Sequence, residues 1–362
     1  MTPLPVLALL ALAAVPPAPG ADGGVRDADG GLAHGDDAAA ALFTRRTREL
    51  MHTHVTVALP TDLPETAREA AFADAFAVFE SIEERLNEWR PGSALSQVNN
   101  GAGGPAVPAP ADVCEVVRVA LAGAKRTDGL FDPTWAALRD VWRFGTDQTG
   151  EVPPVDELAK RCRLVNWRRV ELRPLPSPSP ERACTIRLPT KGMRLGLGGV
   201  VKGWGVDQAV SRLRARGLKH FFVQAGGDLY LAGSEGGRPW RAGVRDPRSP
   251  RDETFARVEV SDAAFSTSGD YEHFFVKDGV RYHHLIDPRT CRPATGSISA
   301  TVLAKTAVDA EFLTKAVFIL GPKKGARLAE RLGASVIVVA PDETVHASKT
   351  LGARLNTWKN PR

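Results

Sequence analysis

Ser266-Thr267-Ser268-Gly269-Asp270-Tyr271-Glu272-His273-Phe274-Phe275-Val276-Lys277-Asp278-Gly279-Val280-Arg281-Tyr282-His283-His284-Leu285-Ile286-Asp287-Pro288-Arg289-Thr290 is the stretch on which the fold turns. Two runs rich in Phe, Val and Tyr flank an Asp-Gly pair. Asp and Gly accept the positive φ of a two-residue turn, so the stretch predicts a β-hairpin turning at Asp278-Gly279. Antiparallel folding brings Ser-Gly-Asp-Tyr at one end beside His-His-Leu-Ile-Asp-Pro at the other. A hydroxyl, a bare glycine backbone, a carboxylate and an imidazole then share one sheet edge. Such an edge suits a polar ligand; a surface hairpin with polar ends is the plainer alternative.

Upstream lies Leu195-Gly196-Leu197-Gly198-Gly199-Val200-Val201-Lys202-Gly203-Trp204-Gly205-Val206-Asp207. A glycine cluster ahead of a helix, predicted over 206–216, lets backbone N–H groups approach an anion. The helix N-terminus adds partial positive charge and Lys202 a full one, which suits a pyrophosphate. The pattern is neither a Walker A loop nor a Rossmann fingerprint. A strand over 220–224 then runs into Ala225-Gly226-Gly227-Asp228, where two glycines permit close backbone approach and Asp228 binds a polar group or caps a turn.

Further out the chain alternates helices and strands. His54–Leu59 reads as a first strand. Phe72, Phe76, Phe79, Ile82 and Leu86 make one apolar stripe along a helix over 65–87. Asp112 is read as the cap of a helix reaching Arg126. Pro174–Pro180 is read as an exposed linker or hairpin tip. A strand over 299–304, a helix over 308–320 stopped by Gly321, and a strand over 335–339 complete the pattern.

The 362 residues are enough for about two compact units. Apolar content of 43%, charged content of 25% and a net charge of +5 are ordinary for a globular protein. The basic residues are scattered, so nucleic-acid binding is not indicated. Residues 1–20 are read as an export signal. Val6–Val15 is apolar but too short to span a bilayer, and small residues precede a cut near Ala21, although Met1–Pro5 lacks Lys or Arg. Residues 21–45 are read as a disordered tether and 46–350 as the folded domain. The four cysteines, Cys114, Cys162, Cys184 and Cys291, form no Cys-x-x-Cys, so no zinc site is expected. A Cys162–Cys184 bridge and buried free thiols both stay open.

Six blocks resemble, in order, the ApbE family of FAD:protein FMN transferases: Trp89–Asn99, Gly129–Pro133, Leu195–Asp207, Ala225–Asp228, Ser268–Tyr271 and His284–Thr290. The resemblance covers about residues 46–345. It implies an α+β fold of antiparallel β-sheets with packed helices, the T-fold-like ApbE architecture. It implies transfer of FMN from FAD to a Thr or Ser hydroxyl of a target flavoprotein, with release of AMP and with Mg²⁺ as metal. Catalytic roles would fall to His284 as base, Lys202 on the phosphates, and Asp287 as orienter of His284 or holder of the loop. FAD contacts would come from Met51, Trp89, Gly129, Phe131, Asp132, Gly198, Gly199, Lys202, Asp228, Ser268, Gly269, Asp270 and Ile286. The metal would sit at Gly199, Glu311 and Thr314. An extracytoplasmic or periplasmic location follows from the export signal, with the acceptor able to bring the enzyme to the inner-membrane surface.

The chain departs from the family pattern at several of these places. Asn87 stands for a Ser, Gly196 for an Asp that contacts the flavin, Cys291 for a Gly, and Lys315 for the Thr of the metal site. Met51-His52-Thr53 keeps the Met and Thr of a Met-Gly-Thr but loses its Gly. An ammonium cannot ligate a cation, so two readings of the metal site stay open. Thr314 with Glu311 and Asp309 holds Mg²⁺, or Lys315 takes over its electrostatic role. The departures also leave room for a non-catalytic FAD-binding protein and for an FAD pyrophosphatase that gives FMN and AMP.

Overall fold

The computed structural model describes residues 42–144, 150–249 and 253–357; the segments read as export signal and most of the tether lie outside them. Eight strands form one antiparallel sheet. Their spatial order is Phe43–Leu50, Thr53–Pro60, Phe221–Ala225, Asp228–Ala232, Ala263–Gly269, Ser299–Ala304, Ser335–Val339 and Val345–Ala347. Period-two patterning splits its side chains between two cores. Val55, Val57, Leu59, Phe221, Val223 and Ala225 face the helices Glu65–Arg85, Ala111–Arg126, Val201–Ala215 and Ala307–Arg331. Ala58, Phe222, Leu229 and Leu231 face a second sheet of three strands, Trp240–Arg245, Thr254–Val260 and Leu355–Thr357. The architecture is the expected α+β one.

The hairpin forms as read. Phe274–Lys277 pairs with Val280–His283, and Asp278 (φ 51°) and Gly279 (φ 75°) are the two left-handed turn residues. The stripe Phe72, Phe76, Phe79, Ile82 and Leu86 is buried. Pro174 and Thr185 lie in the hairpin of Glu171–Ser179 with Arg182–Arg187, so the Pro/Ser stretch belongs to a strand and its tip.

Five boundaries and bonds differ from the sequence expectation. The first strand starts at Phe43, inside the segment read as tether, because its register with Thr53–Pro60 is continuous from Phe43 to Leu50. The Ala111–Arg126 helix is preceded by Pro110, and Asp112 lies in its first turn, where Arg85 reaches it at 3.3 Å. The helix after the glycine cluster starts at Val201, so Lys202 sits in its first turn rather than ahead of it. Gly321 does break its helix (φ 74°, ψ −180°), but Pro322 restarts it and the element runs on to Arg331. The cysteines pair as Cys114–Cys184 and Cys162–Cys291, not Cys162–Cys184. Cys114 is on the Ala111–Arg126 helix against the strand that holds Cys184. Cys162 ends the helix Val155–Cys162 beside the Cys291 turn.

Candidate active site

The glycine segment is held from three sides. Asn99 clamps Leu195 with two hydrogen bonds: Leu195 N–H donates to Oδ1 at 2.7 Å and Nδ2 donates to the Leu195 carbonyl at 2.9 Å. Leu197 N–H donates to the buried Glu88 carboxylate at 2.9 Å, and burial pushes that carboxyl above its usual range. Trp135 Nε1–H donates to the Gly196 carbonyl at 3.1 Å. A Cβ on Gly196 would lie 2.8 Å from both the Trp135 indole nitrogen and the Ala136 methyl, so no larger residue fits there. That accounts for the missing Asp: the indole occupies its space. Beyond this clamp, Gly198 faces open space, and neither the Gly198 nor the Gly199 N–H donates to any described residue.

Lys202 rises from the first turn of the next helix into a buried charge cluster. Its Nζ lies 3.0 Å from Glu311 Oε1, 3.5 Å from Asp228 Oδ2 and 3.0 Å from the Gly198 carbonyl. Burial works against the ammonium, but Glu311 and Asp228 outweigh it and hold its pKa above the ordinary lysine value. Glu311 Oε2 accepts from Gly203 N–H at 2.8 Å, and Ser266 Oγ donates to Asp228 Oδ1. Gly203 is needed here, since its Cβ would sit 2.6 Å from the Ala307 carbonyl and force the two helices apart. Asp207 locks the same pair, accepting from Ala307 and Val308 N–H at 2.7 and 3.0 Å. Lys315, one helical turn beyond Glu311, places its Nζ 3.8 Å from Glu311 Oε1, and its Cε would be 3.7 Å from a Cβ on Gly199. Phe131 packs on the same glycine, at 3.1 Å from that Cβ position.

The hairpin end carries the imidazole. His284 N–H donates to the His273 carbonyl at 3.0 Å, and the two rings meet edge to face at 5.3 Å. His284 Nδ1 is buried and has no hydrogen-bond partner among the described residues. Burial, with the nearby charges of His273, His283 and Lys315, pulls its pKa down to about 3, so it is a neutral imidazole at physiological pH. His283 beside it is structural: its Nε2 bonds the Ala294 carbonyl at 2.9 Å and its ring packs on Phe318.

Other residues singled out from sequence are engaged elsewhere. Asp287 is gripped by Arg289, with Nε–Oδ1 at 2.9 Å and Nη2–Oδ2 at 2.7 Å, so it holds the loop rather than orienting His284. Asp270 is paired bidentately with Arg248 at 2.7 and 2.8 Å. Asp132 caps its own turn through Thr134 and accepts from Trp167 N–H at 3.1 Å, so it shapes the Gly129 turn rather than reaching for a ligand. Ser268 Oγ donates to Thr314 Oγ1 at 2.9 Å, Gly269 pairs with Ser299, and Ile286 packs with Phe275 and Trp142. Trp89 is 61% exposed and carries the Arg139 guanidinium 4.0 Å over its ring. Met51 (φ 55°) and His52 (φ 56°) form the left-handed turn between the first two strands. The Gly of Met-Gly-Thr would suit that turn, so His52 keeps the backbone at a cost in strain. Cys291 (φ 58°) repeats the pattern and is tied down by its disulfide.

The donor set does not fit Mg²⁺ at Gly199, Glu311 and Thr314. Both Glu311 oxygens are taken, by Lys202 and Lys315 on one and Gly203 N–H on the other. Thr314 Oγ1 donates to the Glu311 carbonyl at 2.8 Å, and Asp309 is held by Arg126 at 2.5 Å. Two ammonium groups around one carboxylate oppose a divalent cation electrostatically.

An antiparallel α+β domain that sets an open glycine turn and a part-buried lysine near a buried neutral imidazole has the features of an anion-binding site. The ApbE family model matches residues 51–338, and the chain belongs to that family. It is 33% identical over 296 residues to the FAD:protein FMN transferase of Treponema pallidum, covering 79% of this chain and 81% of that one. It is 29% identical over 267 residues to the enzyme of that name in Vibrio cholerae, covering 72% and 77%. Among solved structures, the Thermotoga maritima ApbE protein superposes with a TM-score of 0.74 at 27% identity, covering 86% of this chain and 99% of that one. The Vibrio cholerae flavin transferase ApbE gives 0.72 at 25% identity, covering 85% and 98%.

Proposed function

We propose that the chain is an FAD:protein FMN transferase, moving FMN from FAD to a Thr or Ser hydroxyl of a target flavoprotein and releasing AMP. The observation that carries this reading is the open Gly198–Gly199 turn, flanked by Lys202 and Lys315, whose charge reaches the buried neutral imidazole of His284. The acceptor oxygen forms a new bond to the phosphorus of the FMN half. The P–O bond to AMP breaks, and AMP leaves with that electron pair. His284 takes the hydroxyl proton, because a neutral imidazole keeps one ring nitrogen without a proton. A bound pyrophosphate raises that imidazole's basicity by adding negative charge beside it. The glycine N–H groups hold the phosphates and the nearby Lys202 charge offsets theirs, so the catalysis is mostly positioning and charge neutralisation. Magnesium has no step in this reading.

Export to an oxidising compartment is part of the proposal, and the two disulfides support it. No helix among the described residues is long and apolar enough to cross a membrane. In this reading, contact with the inner membrane comes through the acceptor. The test mixes the protein, FAD and a flavin-acceptor domain, then views a denaturing gel under ultraviolet light. A fluorescent acceptor band supports the transferase. Intact bound FAD with a dark acceptor indicates a binding protein, and free FMN with AMP indicates a pyrophosphatase.

A further inference from the structure

Two lysines flank the glycine turn, and they are not equivalent. Lys202 is committed, within 3.5 Å of Glu311, Asp228 and the Gly198 carbonyl. Lys315 has one ion-pair partner among the described residues, Glu311 at 3.8 Å, and donates no hydrogen bond to any of them. Its side chain is 21% exposed, whereas Glu311 beneath it is fully buried. Its Cε would lie 3.7 Å from a Cβ on Gly199, so its ammonium sits beside the glycine turn with donors to spare. Burial pulls its pKa down and Glu311 opposes the fall. An ammonium is a compact phosphate-binding charge, and it stands where a metal-ligating hydroxyl would otherwise be.

We propose, building on the transferase reading, that Lys315 is a catalytic residue. Its ammonium, beside Lys202, neutralises the charge that develops on the phosphates as the P–O bond to AMP breaks, so that transfer proceeds without a divalent cation. Glu311 then serves to hold the two ammonium groups in place, and not to ligate metal.

The experiment measures acceptor flavinylation by metal-stripped protein in EDTA and in Mg²⁺. Equal rates, within about twofold, are expected. A fall of more than about tenfold in EDTA, reversed by Mg²⁺, overturns the proposal. Lys315→Met keeps the apolar stem and is expected to lose about 10²–10³-fold in both conditions, as removal of one charge-stabilising donor does. Near-normal transfer by a folded Lys315→Met protein also overturns it. Lys315→Thr is expected to acquire Mg²⁺ dependence and to bind Mg²⁺ in calorimetry where the unaltered protein takes up none. Mg²⁺ uptake by the unaltered protein with the variant no better counts against the proposal. A dark acceptor in both conditions is a different failure: it removes the transferase reading, and this proposal with it.

Discussion

The segments Leu195–Asp207 and His283–Cys291 both contribute to the candidate site and are built on opposite terms. In the first, the groups that fix the backbone are satisfied: Asn99 on Leu195, Glu88 on Leu197, Trp135 on Gly196, Glu311 on Gly203, Asp207 on the neighbouring helix. The Gly198 and Gly199 N–H groups donate to none of the described residues. In the second, His284 keeps a buried nitrogen without a partner among the described residues, and Cys291 holds a left-handed backbone. Its stability comes from neighbours, from the Arg289 grip on Asp287 and from the Cys162 bridge. Buried unpaired polar atoms are costly, and this one lies on the segment to which the proposed reading gives the proton transfer. On the proposed reading, the satisfied half binds and the half with the unpartnered nitrogen reacts.

If that division holds, His284→Ala gives the largest effect, a loss of about 10²–10⁴-fold in transfer with FAD affinity within about twofold, measured by single-turnover flavinylation and by flavin fluorescence titration. A comparable loss of FAD binding would merge the two halves. Glu311→Ala should break the satisfied half by leaving Lys202 and Lys315 buried beside an absent carboxylate. It is expected to cost about 3–5 kcal/mol in urea-unfolding stability. Asn99→Ala removes both hydrogen bonds to Leu195 and should cost about 1–3 kcal/mol, with a matching loss of FAD affinity.

The pH dependence sharpens the contrast. The folded His284 pKa, about 3, lies below its ordinary 6.5, so the unfolded chain binds more protons between those values. Its neutral form therefore favours the fold above pH 6.5, and that contribution is lost as pH falls toward 3. Urea midpoints between neutral pH and about pH 5 should drop more for the unaltered protein than for His284→Ala. The smallest effect belongs to the turn at Met51-His52. His52→Gly should relieve a left-handed backbone and raise stability by about 0.5–1 kcal/mol, read from the same urea curves.

Local patterns in the sequence carried much of this. The Asp278-Gly279 turn, the Phe72–Leu86 stripe and the glycine segment before Lys202 each declare themselves within about 20 residues, where turn chemistry and periodicity act. What stayed hidden was pairing across long separations. Arg248 on Asp270, Trp135 in the place of a Gly196 side chain, and both disulfides depend on which loops the sheet brings together. Glu88 had one available signal, an acidic residue directly before Trp89 in an otherwise apolar and turn-forming stretch. Lys315 was visible as a misfit at a metal position, but its distance from Glu311 and its contact with Gly199 come only from the packing of two helices.

The most direct test of the account is the intact mass of an acceptor domain after reaction with FAD, taken together with a count of the AMP released. The account predicts one FMN added to a Thr or Ser of the acceptor for each AMP formed, and no free FMN. An unmodified acceptor, with FAD either intact or split to free FMN and AMP, would contradict it.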